Sequence, residues 1–330
     1  ADYLGGRVRP DDETIRHIAD TYYYINDFTT AERWYKQLCK KQGSTISPEA
    51  FLNYIRSLKT QRKYAESNAL LEAWYTARNQ PEALQQMQRQ KAYIDSLAKQ
   101  PSNYIISHLA NNTPLADFGA VFYGNQVVYS SARDTVGTGG KLYKWNNQPF
   151  LKLYVADRHA GDGSLFGDRE FLPKSQTGYH NATACFSADR TTVYFSTNTV
   201  KKKNRLINNG DGTNNLRIMR GTIIDGTLTD VVPMPFNSQN YSVSHPALSP
   251  DGRWLYFVSD MSGGYGGTDI YKAKIDGNSY GKPQNLGPLI NTPGKEMFPF
   301  LKGDKLYFAS DGHYGLGGLD IFESNITGES

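Results

Sequence analysis

Residues 259–271 read SDMSGGYGGTDIY, and residues 310–322 read SDGHYGLGGLDIF. The two stretches align without a gap at an offset of 51 residues, so that three glycines and the aspartates Asp269 and Asp320 coincide. Each stretch follows a short aromatic run, at 254–258 in the first copy and at 305–309 in the second. A strand–loop–strand unit that recurs in this way is the signature of a repeat architecture.

Outward from this pair, four pairs of aromatic-rich segments are predicted as hairpins, because turn-forming residues such as Gly, Asp and Pro separate their members. Anchoring the pairs on Tyr129, Tyr194, Tyr256 and Tyr307 gives spacings of 65, 62 and 51 residues. A four-stranded propeller blade takes about 40–45 residues, so the surplus is expected in insertions. The predicted hairpins are 118–123 with 126–131, 182–187 with 192–197, 245–249 with 253–259, and 297–301 with 305–310, and the insertions are 157–169 and 199–215.

Further strands complete the predicted blades. We expect third strands at 151–156, 216–222, 269–275 and 320–326, and fourth strands at 170–173, 230–234 and 284–287. The last blade has no predicted fourth strand. If the chain is complete, residues 103–109 would close this blade as an N-terminal strand, which leaves no open sheet edge. The alternative is that the chain continues and further blades follow.

Helical periodicity dominates the first hundred residues. Apolar residues at i, i+3 and i+4 spacing predict two helices within 13–45, with Thr29 or Thr30 capping the second. A weaker second pair lies within 51–71, and 81–99 is predicted as a capping helix. Two repeats and a cap form a small solenoid, whose concave face is lined by the first helix of each pair.

Composition narrows the function classes. The chain has 330 residues, a length that suits two domains, and its net charge of +4 is spread along the sequence. A nucleic-acid-binding protein would concentrate basic residues on one face, so this class is disfavoured. No apolar run reaches transmembrane length. The two cysteines, Cys39 and Cys185, fall in different predicted domains and are not expected to form a disulfide.

The sequence also resembles known families. SPDGRWLYFVSD at 249–260, followed by SGGYGGTDIYKAKI at 262–275, resembles the WD40-like β-propeller repeats called PD40, whose relatives include the TolB propeller. The first helical pair resembles a tetratricopeptide repeat (TPR). This order of modules is similar to that of OmpA-family envelope proteins of Bacteroidota. The TPR positions are matched by Ala19, Tyr22, Asp27, Phe28, Ala31 and Tyr35.

The resemblance implies an α + β multidomain protein, with TPR-like helices and a capping helix at 1–100 and a β-propeller at 101–330. It implies a periplasmic protein associated with the outer membrane, whose partners are other envelope proteins of secretion or gliding machinery. Nothing in the chain corresponds to the OmpA-like domain, so peptidoglycan binding would need a domain that these residues do not contain. Two short Asp-Ser/Thr-apolar tripeptides, at 95–97 and 134–136, resemble the O-glycosylation acceptors of exported Bacteroidota proteins.

The leading functional hypothesis is a non-enzymatic scaffold that binds proteins through both modules. The sequence contains neither a GxSxG nor an HExxH motif, and no cofactor is expected. The oxygen-rich stretch 208–215 lacks the acidic residue that closes a calcium loop, so no metal site is predicted. His245 is interpreted as structural. The alternatives are a propeller that binds or processes a ligand or glycan at its central channel, and a TolB-like periplasmic partner protein.

Candidate partner-binding residues follow from these modules. The concave face of the helices would present charged and aromatic side chains, and exposed aromatic side chains on the glycine-rich loops could anchor a partner. A basic run at 201–203 with Arg205 could contact an anionic surface. The candidates for partner binding are Arg16, Asp20, Tyr23, Tyr24, Arg56, Lys59, Tyr265 and Tyr314.

Overall fold

A computed structural model of the protein describes residues 10–97, 99, 105–133, 142–172, 177–201 and 205–326. The chain forms two compact units, Ala1–Tyr104 with His313–Asp320, and Ile105–Gly312 with Ile321–Ser330. The first unit extends to Tyr104 and includes the second glycine-rich loop, whereas the predicted domains were 1–100 and 101–330. Sequence predictions that fall on 98, 100–104, 134–136, 173, 202 and 203 lie outside the described residues.

The described part of the first unit contains five α-helices, each packed on the next along the chain. A short 3-10 helix, Gly43–Thr45, follows the second of them. Small side chains, Ala19 and Ala31, are fully buried beside Tyr35 and so allow the first two helices to approach closely. The helices are α1 Asp12–Tyr24, α2 Phe28–Gln42, α3 Pro48–Thr60, α4 Tyr64–Ala77 and α5 Pro81–Leu97.

Acidic and hydroxyl side chains begin three of these helices. Asp11 accepts a hydrogen bond from the Thr14 N–H at 2.8 Å, and Asp27 accepts one from the Thr30 N–H at 3.0 Å. Ser47 caps α3 in the same way. The expected capping of α2 by Thr29 or Thr30 was wrong, because the carboxylate of Asp27 already satisfies the free backbone N–H.

The second unit is a β-propeller with four blades. Each of the first two blades is a four-stranded antiparallel sheet. In the sequence, a small two-stranded hairpin is inserted between its second and third strands. The first blade consists of β1 Asp117–Tyr123, β2 Gln126–Ser131, β5 Lys152–Arg158 and β6 Leu165–Glu170, with β3 Leu142–Tyr143 and β4 Gln148–Pro149 as its hairpin. The second consists of β7 Asn181–Phe186, β8 Thr192–Asn198, β11 Leu216–Ile224 and β12 Thr227–Pro233, with β9 Val200–Lys201 and β10 Arg205–Leu206 as its hairpin.

The other two blades are built on the glycine-rich repeats. In the third blade the outermost strands are very short, and in the described part of the fourth blade three strands are present. The third blade consists of β13 Val243–Leu248, β14 Trp254–Ser259, β15 Asp269–Asp276, β16 Ser279–Tyr280 and β17 Gln284–Asn285, and the fourth of β18 Glu296–Lys302, β19 Lys305–Ser310 and β20 Asp320–Asn325.

A bulge interrupts the first strand of every blade at the same place. The residue in the bulge has a positive φ, from 41° at Thr183 to 66° at Gly119. Only glycine adopts this conformation without strain, so neighbouring contacts must hold the others in place. Two such contacts join blades: Thr183 N–H donates to Ser130 Oγ at 2.8 Å, and His245 N–H donates to Ser196 Oγ at 3.0 Å. Phe298 is the corresponding residue of the fourth blade.

The strand pairing corrects two sequence predictions. Phe118 pairs with Ser130, and Ala182 pairs with Ser196, so Ser130 and Ser196 occupy equivalent positions. The sequence alignment that matched Tyr129 with Tyr194 was therefore one residue out of register. The counterpart of Tyr194 is Val128, which is buried as Tyr194 is but has no aromatic ring. The fourth strand of the first blade is β6, Leu165–Glu170, so that most of it lies in the predicted insertion 157–169 and only Glu170 falls in the predicted strand 170–173.

The described part of the predicted closing strand does not form a strand. Residues 105–109 are not part of a strand, and Ile105 and Ile106 are 96% and 97% exposed. Instead the following connector is fixed to the first blade, because Asp117 accepts hydrogen bonds from the N–H and hydroxyl groups of Thr113. Hydrogen bonds between residues close in the sequence thus hold the start of the propeller unit, without strand pairing.

The hydrogen bonds between Thr113 and Asp117 belong to an arrangement, here called the polar clasp, that recurs in the propeller and that the sequence analysis did not predict. Three blades place a Thr four residues before an Asp, Asn or Glu that begins the first strand, and that side chain also accepts from a Ser or Thr on the second strand. The third blade has Gln239 and Val243 at these positions and lacks the clasp. The available signal was the repeated Asn-Thr-Pro at 112 and 291. The three sets are Thr113, Asp117 and Ser131; Thr177, Asn181 and Thr197; and Thr292, Glu296 and Ser310.

The aspartate of the glycine-rich motif behaves as its sequence position predicted. Asp269 is 1% exposed and accepts hydrogen bonds from the Tyr265 and Gly266 N–H groups of its own loop, at 2.7 and 3.1 Å. The amide of Asn285 donates to the same carboxylate. Asp320 accepts equivalently from Gly317 N–H. The carboxylate therefore closes the turn, which is the structural role inferred from the sequence.

Candidate functional site

Four of the predicted partner-binding residues lie together on α1. Arg16 forms an ion pair with Asp20 at 3.4 Å, and Asp20 also accepts a hydrogen bond from Tyr35 Oη at 2.6 Å. Tyr23 packs edge-on against the rings of Tyr24 and Tyr35. The acidic group is therefore held by internal contacts, whereas Tyr24 remains 44% exposed.

Arg56 extends this surface from α3, which contacts α1. Burial raises the pKa of the Tyr24 hydroxyl, and the nearby carboxylates of Glu49 and Asp20 raise it further. The charges of Arg56 and Arg16 act on the pKa of the Tyr24 hydroxyl in the opposite direction. The structure thus brings the α1 and α3 residues into one surface, here called the α1–α3 face: Arg16, Asp20, Tyr24, Glu49 and Arg56.

Lys59 and Tyr314 contact each other instead of forming an open surface. Lys59 is 6% exposed, and its Nζ donates to the Gly315 carbonyl at 2.9 Å and lies 4.1 Å from the centroid of the Tyr314 ring. Tyr314 Oη donates to Asn68 at 2.9 Å. Both residues therefore make contacts between the loop His313–Asp320 and the helices of the first unit. Tyr265, on the other glycine-rich loop, is 48% exposed. That these eight residues bind a partner stays a prediction.

The propeller unit contains a cavity that the sequence analysis did not identify. Its volume is about 940 Å³, within the range of about 300–1,000 Å³ that small-molecule sites occupy. The bulge residues Thr183 and His245 of the second and third blades and Phe118 of the first blade form part of its wall, and the β3–β4 hairpin and the segment 205–214 form another part. The only advance signal was the extra length between the strands of the first two blades. We call this space the axial cavity.

Aromatic rings line one side of the axial cavity. Phe150 packs edge-on against Tyr179, with ring centroids 5.3 Å apart, and lies 4.8 Å from the ring of His180. Tyr143 packs edge-on against His180 at 4.6 Å. Such edge-to-face contacts fix the ring orientations.

Two histidines line the axial cavity, and burial lowers the pKa of each to about 4. His180 Nδ1 accepts a hydrogen bond from the Leu151 N–H at 3.1 Å, which places the proton of the neutral ring on Nε2. His245 Nδ1 lies 2.8 Å from Ser244 Oγ. Both rings are therefore neutral at pH 7.

This arrangement is suited to binding, and its acid–base capacity is small. Among the described lining residues there is no Asp or Glu, so the paired carboxylates of glycoside hydrolysis are absent from that set. Ser244 and His245 resemble a nucleophile and its base, but an imidazole with a pKa of about 4 is a weak base at neutral pH. Within the described ranges, no cluster of three His, Cys, Asp or Glu side chains could hold a metal ion. None of the described helices has the length and apolar character needed to cross a membrane.

No family model matches this chain, and no curated protein matches its sequence. Several solved structures are similar to part of this chain. The TolB protein of Agrobacterium tumefaciens is 16% identical, with 61% of this chain and 62% of that chain covered and a TM-score of 0.34. A puromycin-hydrolyzing peptidase of Mycobacterium tuberculosis is 16% identical, with 66% and 38% covered and a TM-score of 0.36. A glycoside hydrolase of Parabacteroides distasonis is 11% identical, with 62% and 64% covered and a TM-score of 0.35.

The matched region thus spans less than two thirds of these proteins. The expectation that the chain is not an enzyme was wrong as stated, because a peptidase and a glycoside hydrolase are among the structures it resembles. At 11–16% identity and TM-scores of 0.34–0.36, this likeness assigns no reaction to this chain.

Proposed function

We propose that the chain is a protein-interaction scaffold whose α1–α3 face binds a partner protein. The observation that carries the proposal is Tyr24, which stays 44% exposed on α1, the helix that also carries Arg16 and that contacts α3, where Arg56 lies. Tyr and Arg are enriched among the residues that dominate binding energies at interfaces. Asp20 is held by Tyr35 and Arg16, so part of the face is ordered before any partner arrives, which lowers the entropic cost of binding.

The finer part of the proposal rests on the sequence resemblance. We propose that the helices are TPR-like repeats of an OmpA-family envelope protein, similar in module order to the type IX secretion component PorE. The partners would then be other envelope proteins, and the location the periplasm beside the outer membrane. Cell fractionation tests the location, and recovery of the native protein in the cytosolic fraction would contradict it.

Site-specific photo-crosslinking tests the interaction. A photoreactive phenylalanine replaces Tyr24 in one variant and Tyr93 in a control, since Tyr93 on α5 is 64% exposed. We expect a discrete crosslinked protein from position 24 and none from position 93. The Arg56→Ala substitution should then weaken binding of that purified protein about tenfold or more, the loss expected of an interface hot spot. The absence of a crosslink at position 24, or equal crosslinking at both positions, would overturn the proposal.

A further inference from the structure

The axial cavity combines an apolar wall with fixed hydrogen-bonding groups. Phe150, Tyr143 and Tyr179 present ring surfaces whose mutual contacts hold them in place. A ligand with one flat apolar face can cover these rings and remove them from water, which is favourable by about 25 cal/mol per Å² of apolar surface.

The polar groups of the cavity can both donate and accept. His180 donates through Nε2–H, because its Nδ1 is occupied by the Leu151 N–H. The side chains of Gln148 and Asn208 line the cavity and make no hydrogen bond to another described residue. An amide offers two donors and one carbonyl acceptor. These groups therefore match a ligand whose own groups also donate and accept.

The charged residues of the cavity lining indicate which net charge a ligand can carry. Lys144 is the one charged residue among the described lining residues, and it is exposed at the rim. A cationic ligand would find no carboxylate among these residues, and a multiply charged anion would find a single cation. The described lining thus favours an uncharged ligand.

We propose that the axial cavity binds a neutral saccharide. A sugar ring has an apolar face of C–H groups that fits the wall formed by Phe150, Tyr143 and Tyr179. Its hydroxyl groups donate and accept, as the amides of Gln148 and Asn208 require. The cavity volume of about 940 Å³ accommodates more than one ring. This site belongs to the propeller and is independent of the α1–α3 face.

The test uses the intact chain, an array of immobilised neutral oligosaccharides, with and without N-acetyl groups, and the uncharged fluorescent probe N-phenyl-1-naphthylamine. We expect retention on at least one oligosaccharide, and displacement of the bound probe by the same sugar in solution. Tyr143→Ala should weaken sugar binding about tenfold, as loss of one aromatic contact does at a ligand site. The control is Phe122→Ala, because Phe122 is 66% exposed and does not line the cavity.

Thermal melting establishes that both variants remain folded. Gln148→Leu provides a second variant, which removes the amide and keeps the apolar stem, and it should weaken sugar binding while leaving probe binding intact. The proposal is overturned if no oligosaccharide is retained by the folded protein. It is also overturned if the probe binds but no sugar displaces it, or if Phe122→Ala weakens sugar binding as much as Tyr143→Ala does.

Discussion

The backbone N–H of His245 donates to Ser196 Oγ at 3.0 Å, and this bond links the bulge of the third blade to the second strand of the second blade. Ser130 makes the same bond to Thr183 at 2.8 Å between the first two blades. At the corresponding positions of β14 and β19 stand Val258 and Ala309, which have no hydroxyl group. The first blades are therefore joined by polar bonds that the later blades do not repeat.

Replacing Ser196 with Ala should destabilise the propeller. His245 lies in the strand bulge with a φ of 52°, and its N–H donates to Ser196 Oγ, so the substitution removes the acceptor of this N–H. An unsatisfied buried N–H costs about 1–3 kcal/mol. Urea unfolding of Ser196→Ala should show a loss of this size, whereas Ser279→Ala, at an exposed position, should stay within about 0.5 kcal/mol of the parent. Equal stability of the two variants would show that the inter-blade bond contributes nothing.

Gly266 should not tolerate a methyl group. A Cβ at this position would lie 2.1 Å from the Thr292 carbonyl oxygen and 2.4 Å from that of Gly294, and backbone cannot yield as a side chain can. Overpacking of this kind costs about 1–3 kcal/mol. Gly266→Ala should lower the free energy of unfolding by that amount in urea titrations. Gly210→Ala is the matched control, because a Cβ at Gly210 meets nothing within 4 Å; a neutral Gly266→Ala would contradict the close approach.

The free energy of unfolding should rise at alkaline pH, because Lys59 is buried and loses its charge there. Burial lowers the pKa of its ammonium group from 10.5 to about 8, while Asp320 acts in the opposite direction. Between these values the unfolded chain binds more protons than the folded chain, so the free energy of unfolding rises with pH. Relative to Lys59→Met, wild type should gain stability between pH 8 and 10 in urea unfolding followed by circular dichroism. Lys40→Met, at an exposed site, serves as control, and a difference independent of pH would refute the burial of a charged Lys59.

The two cavity histidines should destabilise the propeller in acid. Burial lowers the pKa of His180 and His245 from 6.5 to about 4, so below pH 6.5 the unfolded chain takes up protons that the folded chain does not. Stability is therefore greatest above pH 6.5 and is lost as the pH falls toward 4. His180→Asn, whose carbonyl can still accept from Leu151 N–H, should show a shallower loss than wild type. His108→Asn, at an exposed position, should follow the wild-type curve; identical curves for all three proteins would mean that the pKa of His180 is the same in the folded and unfolded chains.

Local sequence signals predicted much of this fold for a physical reason. Asp269 and its glycines lie within one loop, so their hydrogen bonds depend on neighbours in the chain and could be inferred from spacing. The hairpins on either side of each short turn are local in the same sense. By contrast, Tyr129 was an unreliable anchor, because equivalent strand positions are set by the pairing register, and a tyrosine occurs at a different position along the second strand of the first blade than along that of the second.

The sequence by itself determined the helical periodicity, the repeated strands and the glycine-rich turns, since each results from contacts between residues close in the chain. Only the tertiary structure decided that Lys59 would bind Gly315 and that His180 would line a cavity with His245. These relationships join residues far apart in sequence, and no local pattern encodes which distant backbone will approach. For the same reason the α1–α3 face could be predicted from helix periodicity, whereas the axial cavity was found only where the blades meet.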